Sequence, residues 1–164
     1  MSLTRRLAGL QYRFYDRMRH PESFEVAAKL GTAVDFEALR GRHYGIVVTF
    51  KRSGEPVPTP VLCALEDGKV FFRTEDGIAK LKRIHRDPHV RVGPCNWRAK
   101  PLGPLAEGTA RILSGEEAEA AQVILRQSYT RPMRVFEGAV DKLPVDVLYV
   151  EVTPTAGEAG RESP

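Results

Sequence analysis

Arg73–Val92 reads RTEDGIAKLKRIHRDPHVRV, and its punctuation decides how the rest of the chain is read. The apolar run that starts at Lys69 ends as a strand at Thr74, and the polar break Glu75-Asp76-Gly77 turns the chain. A short helix follows, carrying Lys80, Lys82, Arg83 and Arg86, until Asp87-Pro88 stops it. The alternation His89-Val90-Arg91-Val92 then opens a new strand. A threonine at a strand end, a helix N-terminus and lysines in the first turns together form a candidate phosphate seat. Backbone N–H groups and the helix dipole favour an anion there, and ammonium groups add charge-assisted bonds. The residues alone equally allow a solvated basic helix linking two strands.

Upstream of this segment the pattern has strand period. Tyr44–Phe50 (YGIVVTF) reads as a strand, Arg52–Glu55 as a hairpin turn and Pro56–Leu65 as the returning strand. The prolines of that second strand suit an edge or a bulge, because proline donates no ladder hydrogen bond. Asp67-Gly68 is a tight-turn signal leading into Lys69. Downstream, Val90–Cys95, Leu105–Leu113 and Val145–Val152 read as strands. Ser114 is placed to cap a helix over 116–128 with acids in its first turn. Six short strands with an inserted helix after the third and another before the last predict a small, closed or partly closed β-barrel, since closure removes exposed edges.

Before the barrel, Leu3, Leu7, Leu10, Phe14 and Met18 recur at helical spacing with arginines between them, predicting an amphipathic helix over Leu3–Arg19. A second helix is expected over Glu22–Leu30, ended by Gly31, and Asp35 is placed to cap a single turn. The expected divisions are a helical extension over 1–35, the barrel over 36–153 and a disordered tail over 154–164.

The chain has 164 residues, 42% hydrophobic and 28% charged, which suits one globular domain. The net charge of +4 is uneven: residues 1–19 hold five arginines against Asp16, and residues 73–100 hold eight basic residues against three acids. A chain-wide attraction for nucleic acid would be more diffuse, and no helix-turn-helix or aromatic-basic interleaving is present. The N-terminal helix is expected to pack on the barrel or on a partner; its arginines beside an apolar stripe would also suit an anionic membrane surface. No apolar run approaches the roughly 20 residues that cross a bilayer. Cys63 and Cys95 form no CxxC or zinc pattern, which fits reduced thiols in the cytoplasm. His20, His43, His85 and His89 form no metal set, Pro88 breaking the helical spacing of the last two, so no metal is expected. No Ser-His-Asp or Cys-His motif is present.

The spacing Thr74-x5-Lys80-x7-Pro88-x-Val90 resembles the pyridoxamine 5′-phosphate oxidase-like split β-barrel family over about residues 40 to 153. Val57–Val61 (VPTPV) is similar to that family's second-strand segment beside the cofactor ring, and Gly103–Ala110 resembles its fifth strand. The run Pro94-Cys95-Asn96-Trp97-Arg98-Ala99-Lys100-Pro101-Leu102-Gly103-Pro104 is most similar to the F420-dependent branch. Ala79 stands where the pyridoxamine phosphate oxidases carry an arginine before the lysine, and their C-terminal arginine and histidine signature is missing, which argues against vitamin B6 oxidation.

The resemblance implies a six-stranded split barrel acting as a homodimer, with a flavin-like cofactor at the subunit interface. It implies hydride transfer between F420, or alternatively FMN, and a small conjugated substrate. A non-catalytic carrier or sensor of a flavin, F420 or tetrapyrrole is the competing reading. Lys80 and Arg83 would hold the phosphate with help from Thr74; Thr59, Pro60 and Val61 would line the ring. Arg98 and Lys100 would meet an anionic tail. Tyr44, Tyr129 and Arg131 are candidate proton donors, with no motif to choose among them.

Overall fold

Tight turns and alternating apolar residues make hairpins, and the hairpins close on one another. In the computed structural model, which describes residues 19–140 and 146–155, the strands are β1 (Tyr44–Phe50), β2 (Pro56–Glu66), β3 (Lys69–Glu75), β4 (His89–Pro94), β5 (Ala106–Leu113) and β6 (Val147–Pro154). They form a closed barrel in the order β1-β2-β3-β6-β5-β4, every neighbouring pair antiparallel. Gly54 and Gly68, both at positive φ, make the first two hairpin turns.

The helices among the described residues are α1 (Glu22–Ala27), α2 (Ala79–Arg86), α3 (Gly115–Ser128) and α4 (Arg131–Val140). A 3₁₀ turn over Glu37–Leu39 precedes the barrel, and the Glu37 N–H donates to Asp35 Oδ1 at 3.0 Å, the capping role read for Asp35. Val47, Val61, Val70, Phe72, Val90, Val92, Val150 and Val152 fill the barrel interior, and α2 adds Leu81 and Ile84 to the same core. Ile46, Val48, Cys95 and Leu105 face outward and pack with Ala27 of α1. Ala64, Phe71 and Leu113 face outward elsewhere and are covered by Ala121 and Leu125 of α3 with Tyr129. β1 thus buries both faces, the period-2 alternation feeding two different cores, whereas β5 leaves Thr109 and Arg111 exposed on its outer face.

Several boundaries differ from the sequence reading. α1 ends at Ala27 rather than Leu30, because the chain turns back onto the barrel: the Gly31 N–H donates to Glu107 Oε1 at 2.7 Å and the Ala33 N–H to the Leu105 carbonyl at 3.0 Å. Ser114 occupies the N-cap position of α3 but makes no side-chain cap. α4 was not anticipated, although Pro132 in its first turn suits a helix start. β6 runs two residues past Val152, and the Thr155 N–H donates to the Glu107 carbonyl, so the barrel claims residues expected in the tail. The helix expected over Leu3–Arg19 lies, except for Arg19, outside the described residues, as does 156–164 of the tail.

One departure from a uniform barrel lies along β2. β2 pairs with β1 along Pro56–Leu62 but with β3 only from Cys63 to Glu66. The prolines therefore lie where β2 has a neighbour on one side only, as their missing donors require. Beyond Cys63↔Phe72 the two strands part, and β3 continues through Arg73, Thr74 and Glu75 paired to β6 alone.

Candidate functional site

α2 leaves the end of β3 and packs against the end of β1. Its apolar residues Leu81 and Ile84 are buried in the core, so the helix register sends Lys80 inward as well. Lys80 is 6% exposed, and its ammonium lies over the Phe72 ring at 5.2 Å from the centroid. Among the described residues it makes no hydrogen bond and no ion pair. Burial pushes its pKa down to about 7, and the charges of Arg83 and Arg19 add to the effect against a smaller opposing pull from Glu75. A buried cation whose nearest charged neighbours are mostly cations has the arrangement of an anion site.

Arg83, one turn along, donates from Nε to Thr49 Oγ1 at 2.7 Å. Thr49 is fully buried on β1, on the interior face with Val47, and its hydroxyl fixes the guanidinium at the barrel mouth. Burial, then the charge of Arg86, lowers the Arg83 pKa. Arg86 is anchored separately by donating to the Phe50 carbonyl. Thr74 is buried on β3 and, by strand alternation, shares a face with Phe72, whose ring lies under the Lys80 ammonium. Ile78, the N-cap residue of α2, offers no side-chain cap, which leaves the first-turn N–H groups to other partners.

Arg19 joins this group from the other end of the chain. Its Nη1 donates to the Pro58 carbonyl, on the stretch of β2 that has no strand neighbour on the β3 side. Burial, then Arg83, lowers its pKa, and its own charge lowers that of Lys80. Sequence reasoning missed both Arg19 and Thr49. They come from strands or segments 39 and 34 residues from their partners, and no local motif marks them.

The structure brings Lys80, Arg83 and Thr74 to one end of the barrel and separates the remaining sequence-selected residues. Thr59 and Pro60 are half-buried on the β2 edge, whereas the Val61 side chain packs inside the barrel core. Arg98 and Lys100 are exposed on a turn after β4, organised by Asn96 Oδ1, which accepts from both of their N–H groups. The Arg98 guanidinium lies over Trp97 rather than in the Lys80 group. The same turn is tied to the site's edge, because the His20 N–H, one residue from Arg19, donates to the Arg98 carbonyl at 2.9 Å. Tyr44 packs with Ile46 and Cys95, and Tyr129 packs beneath α3, so neither is grouped with Lys80. Arg131 is exposed at the start of α4. Both cysteine thiols are pushed up to about 12, chiefly by burial, and behave as core groups. Among the described residues no cluster of three or more His, Cys, Asp or Glu can hold a metal, and no helix is long and apolar enough to cross a membrane.

No protein-family model matches the chain, and no curated protein matches it in sequence. Solved structures do match. A Clostridium acetobutylicum protein of the pyridoxinephosphate oxidase family, related to general stress protein 26 of B. subtilis, superimposes with TM-score 0.52 at 17% identity, over 72% of this chain and 79% of that one. The fold is the pyridoxamine 5′-phosphate oxidase-like split β-barrel. The same barrel underlies HutZ, the heme storage protein of Vibrio cholerae, with TM-score 0.54 and 14% identity over 74% of this chain and 87% of HutZ. It also matches a heme binding protein from Mycobacterium smegmatis at TM-score 0.52 and 17% identity, covering 82% of this chain and about half, 51%, of that protein.

Proposed function

We propose that the chain is a split-barrel oxidoreductase that binds the phosphate of a flavin-type cofactor at Lys80, F420 being the first candidate and FMN the alternative. The observation that carries this reading is the buried Lys80 ammonium, which lacks any hydrogen bond among the described residues and is flanked by Arg83 and Arg19. Burying a charge without a partner is costly, and a bound phosphate would remove that cost by supplying charge-assisted bonds. Arg83, oriented by Thr49, and Thr74 would complete the seat, and the half-open edge of β2 at Thr59–Val61 would present backbone groups to the ring. The cofactor when bound supplies the hydride chemistry; the protein's own groups hold and orient it and shield it from water. F420 carries acidic groups beyond its phosphate. The basic turn at Arg98 and Lys100, tied through His20 to Arg19, offers positive charge outside the seat, which favours F420. The substrate would be a small conjugated molecule, and a second subunit would cover the open side of the site.

A carrier or sensor is the second reading, supported by the heme storage protein that shares this barrel. Titration of the purified chain with F420 and with FMN tests the seat: Lys80→Ala should weaken binding by about 1.5–3 kcal/mol, the range for hydrogen bonds to charged groups. An unchanged dissociation constant would sink the phosphate assignment. Oxidation of reduced F420 by any member of a panel of quinones, enones and biliverdin supports the enzyme; tight binding without turnover on the whole panel supports the carrier.

A further inference from the structure

β2 carries proline at every second position from Pro56 to Pro60, and the register shows which way their backbone groups point. The Lys51 N–H donates to the Glu55 carbonyl at one end of the β1–β2 pair, and the Cys63 N–H donates to the His43 carbonyl at the other. Hydrogen-bonded pairs alternate along an antiparallel ladder, so Val57, Thr59 and Val61 turn their backbone groups toward β1. Pro56, Pro58 and Pro60 therefore turn theirs away from it. On that side β3 does not pair with β2 before Cys63, so this edge has no strand neighbour among the described residues. Proline has no N–H, and the edge from Pro56 to Pro60 consequently offers carbonyl acceptors and no donor. One of these acceptors is already in use, the Pro58 carbonyl accepting from Arg19 Nη1. Pro60, half-buried, is the acceptor beyond it. The seat adjoins this strand, because Thr49, which accepts from Arg83 Nε, pairs with Val57. Pro60 lies about 10 Å further along the strand.

We infer that the Pro60 carbonyl accepts a ring N–H of the ligand, so that the edge selects a planar ring carrying an imide N–H on its rim. This contact presupposes the phosphate seat proposed above, and it narrows the ring's backbone partner from Thr59–Val61 to one carbonyl. FMN and F420 both present such an N–H, on the pyrimidinedione end of the ring system. An extended peptide needs donors as well as acceptors, so a strand adds poorly to this edge. A porphyrin rim carries alkyl, vinyl and carboxylate groups and no N–H, so the same edge gives it no hydrogen bond. The backbone here therefore favours a flavin-type ring.

The test uses the full-length chain and two probe pairs: FMN with FMN methylated at its imide nitrogen, and F420 with its analogue methylated at the same atom. The methyl group should weaken whichever parent binds by about tenfold. Proton NMR of the bound parent, isotopically labelled at that nitrogen, should show the imide proton shifted downfield and protected from exchange with water. Equal affinities within a pair overturn the inference. A loss accompanied by an imide proton that exchanges as freely as in the unbound cofactor also overturns it, since the methyl group then merely clashes. Lys80→Gln run alongside separates the failures, because it should weaken both members of a pair alike and leave the methyl penalty unchanged. If Lys80→Gln weakens binding and methylation does not, only this inference falls. If neither change alters affinity, or wild type binds neither parent, the seat itself falls with it.

Discussion

Two buried cations in this barrel are almost equally hidden and have opposite surroundings. Arg91 on β4 is 8% exposed and Lys80 on α2 is 6% exposed. Arg91 donates from Nε to Glu107 Oε1 at 2.7 Å and from Nη1 to the Ala27 carbonyl at 2.9 Å, and it lies over Phe50 at 5.0 Å. Glu107 is further engaged by the Gly31 N–H and by His89, whose ring stacks on Phe50 at 5.1 Å between centroids. Partial burial pushes the Glu107 carboxyl up, but the hydrogen bonds from Gly31, Arg91 and His89 outweigh it and hold the pKa below its ordinary value. Both carboxylate oxygens of Glu107 and two guanidinium nitrogens of Arg91 are spent on the fold, and the cluster fastens α1 and its following loop to the barrel. The Lys80 ammonium, by contrast, makes no hydrogen bond and no ion pair among the described residues. Compensated burial holds the fold together, and uncompensated burial lowers its stability.

The largest expected effect comes from breaking the compensated cluster. Arg91→Met leaves Glu107 and the Ala27 carbonyl without their main donor, and should cost about 3 kcal/mol in unfolding free energy. At roughly 2–4 °C per kcal/mol for a chain of this size, the thermal midpoint should fall by about ten degrees. A change within two degrees would mean that the loop after α1 does not depend on this cluster.

Lys80→Met should act in the other direction. An unfolded lysine keeps its proton up to its ordinary pKa of 10.5, whereas folded Lys80 gives it up near 7. Between those values the unfolded chain binds more protons, so folding is favoured as pH rises through that window and penalised below it. The full shift would correspond to at most about 5 kcal/mol, and relaxation around the site makes about 2 kcal/mol the expected gain for Lys80→Met at pH 6. Denaturant unfolding of the unliganded protein at pH 6 and pH 9 should show the wild type gaining on the variant as pH rises. A variant less stable than wild type at pH 6 would mean that Lys80 is a structural cation like Arg91.

Glu107 supplies the opposite pH dependence. Its folded pKa is held low, so its contribution is present above the unfolded carboxylate pKa and is lost as pH falls through the folded one. Glu107→Gln should therefore cost stability at pH 7, by about 1–2 kcal/mol, and progressively less on acidification. Parallel curves for wild type and variant from pH 7 to pH 3 would contradict the assignment.

The sequence disclosed what is local and withheld what is assembled. Hairpin signals located β1 at its observed bounds and β2 and β3 to within a residue, and the prolines of β2 foretold its one-sided pairing. Lys80 and Arg83 were legible because they share one helix face, and Thr74 because it closes the strand before that helix. Arg19, Thr49 and the Glu107 cluster were not, since each depends on a contact between distant segments that periodicity and spacing do not encode. The opposite fates of Arg91 and Lys80 were equally hidden: both stand in the same basic stretch, and only the fold gives one of them a carboxylate.

The smallest effect tests how the seat is held in place rather than what fills it. Thr49 touches no proposed ligand atom; its hydroxyl accepts from Arg83 Nε at 2.7 Å and is fully buried in doing so. Thr49→Val keeps the side chain's shape and removes the acceptor, which frees the guanidinium to leave the barrel mouth. The loss should be about 1 kcal/mol, the net value of one hydrogen bond, read as a roughly fivefold weaker phosphate-bearing ligand. Affinity for a phosphate-free probe should not change. If Thr49→Val weakens both probes alike, the hydroxyl supports the barrel rather than Arg83, and the seat is held by α2 alone.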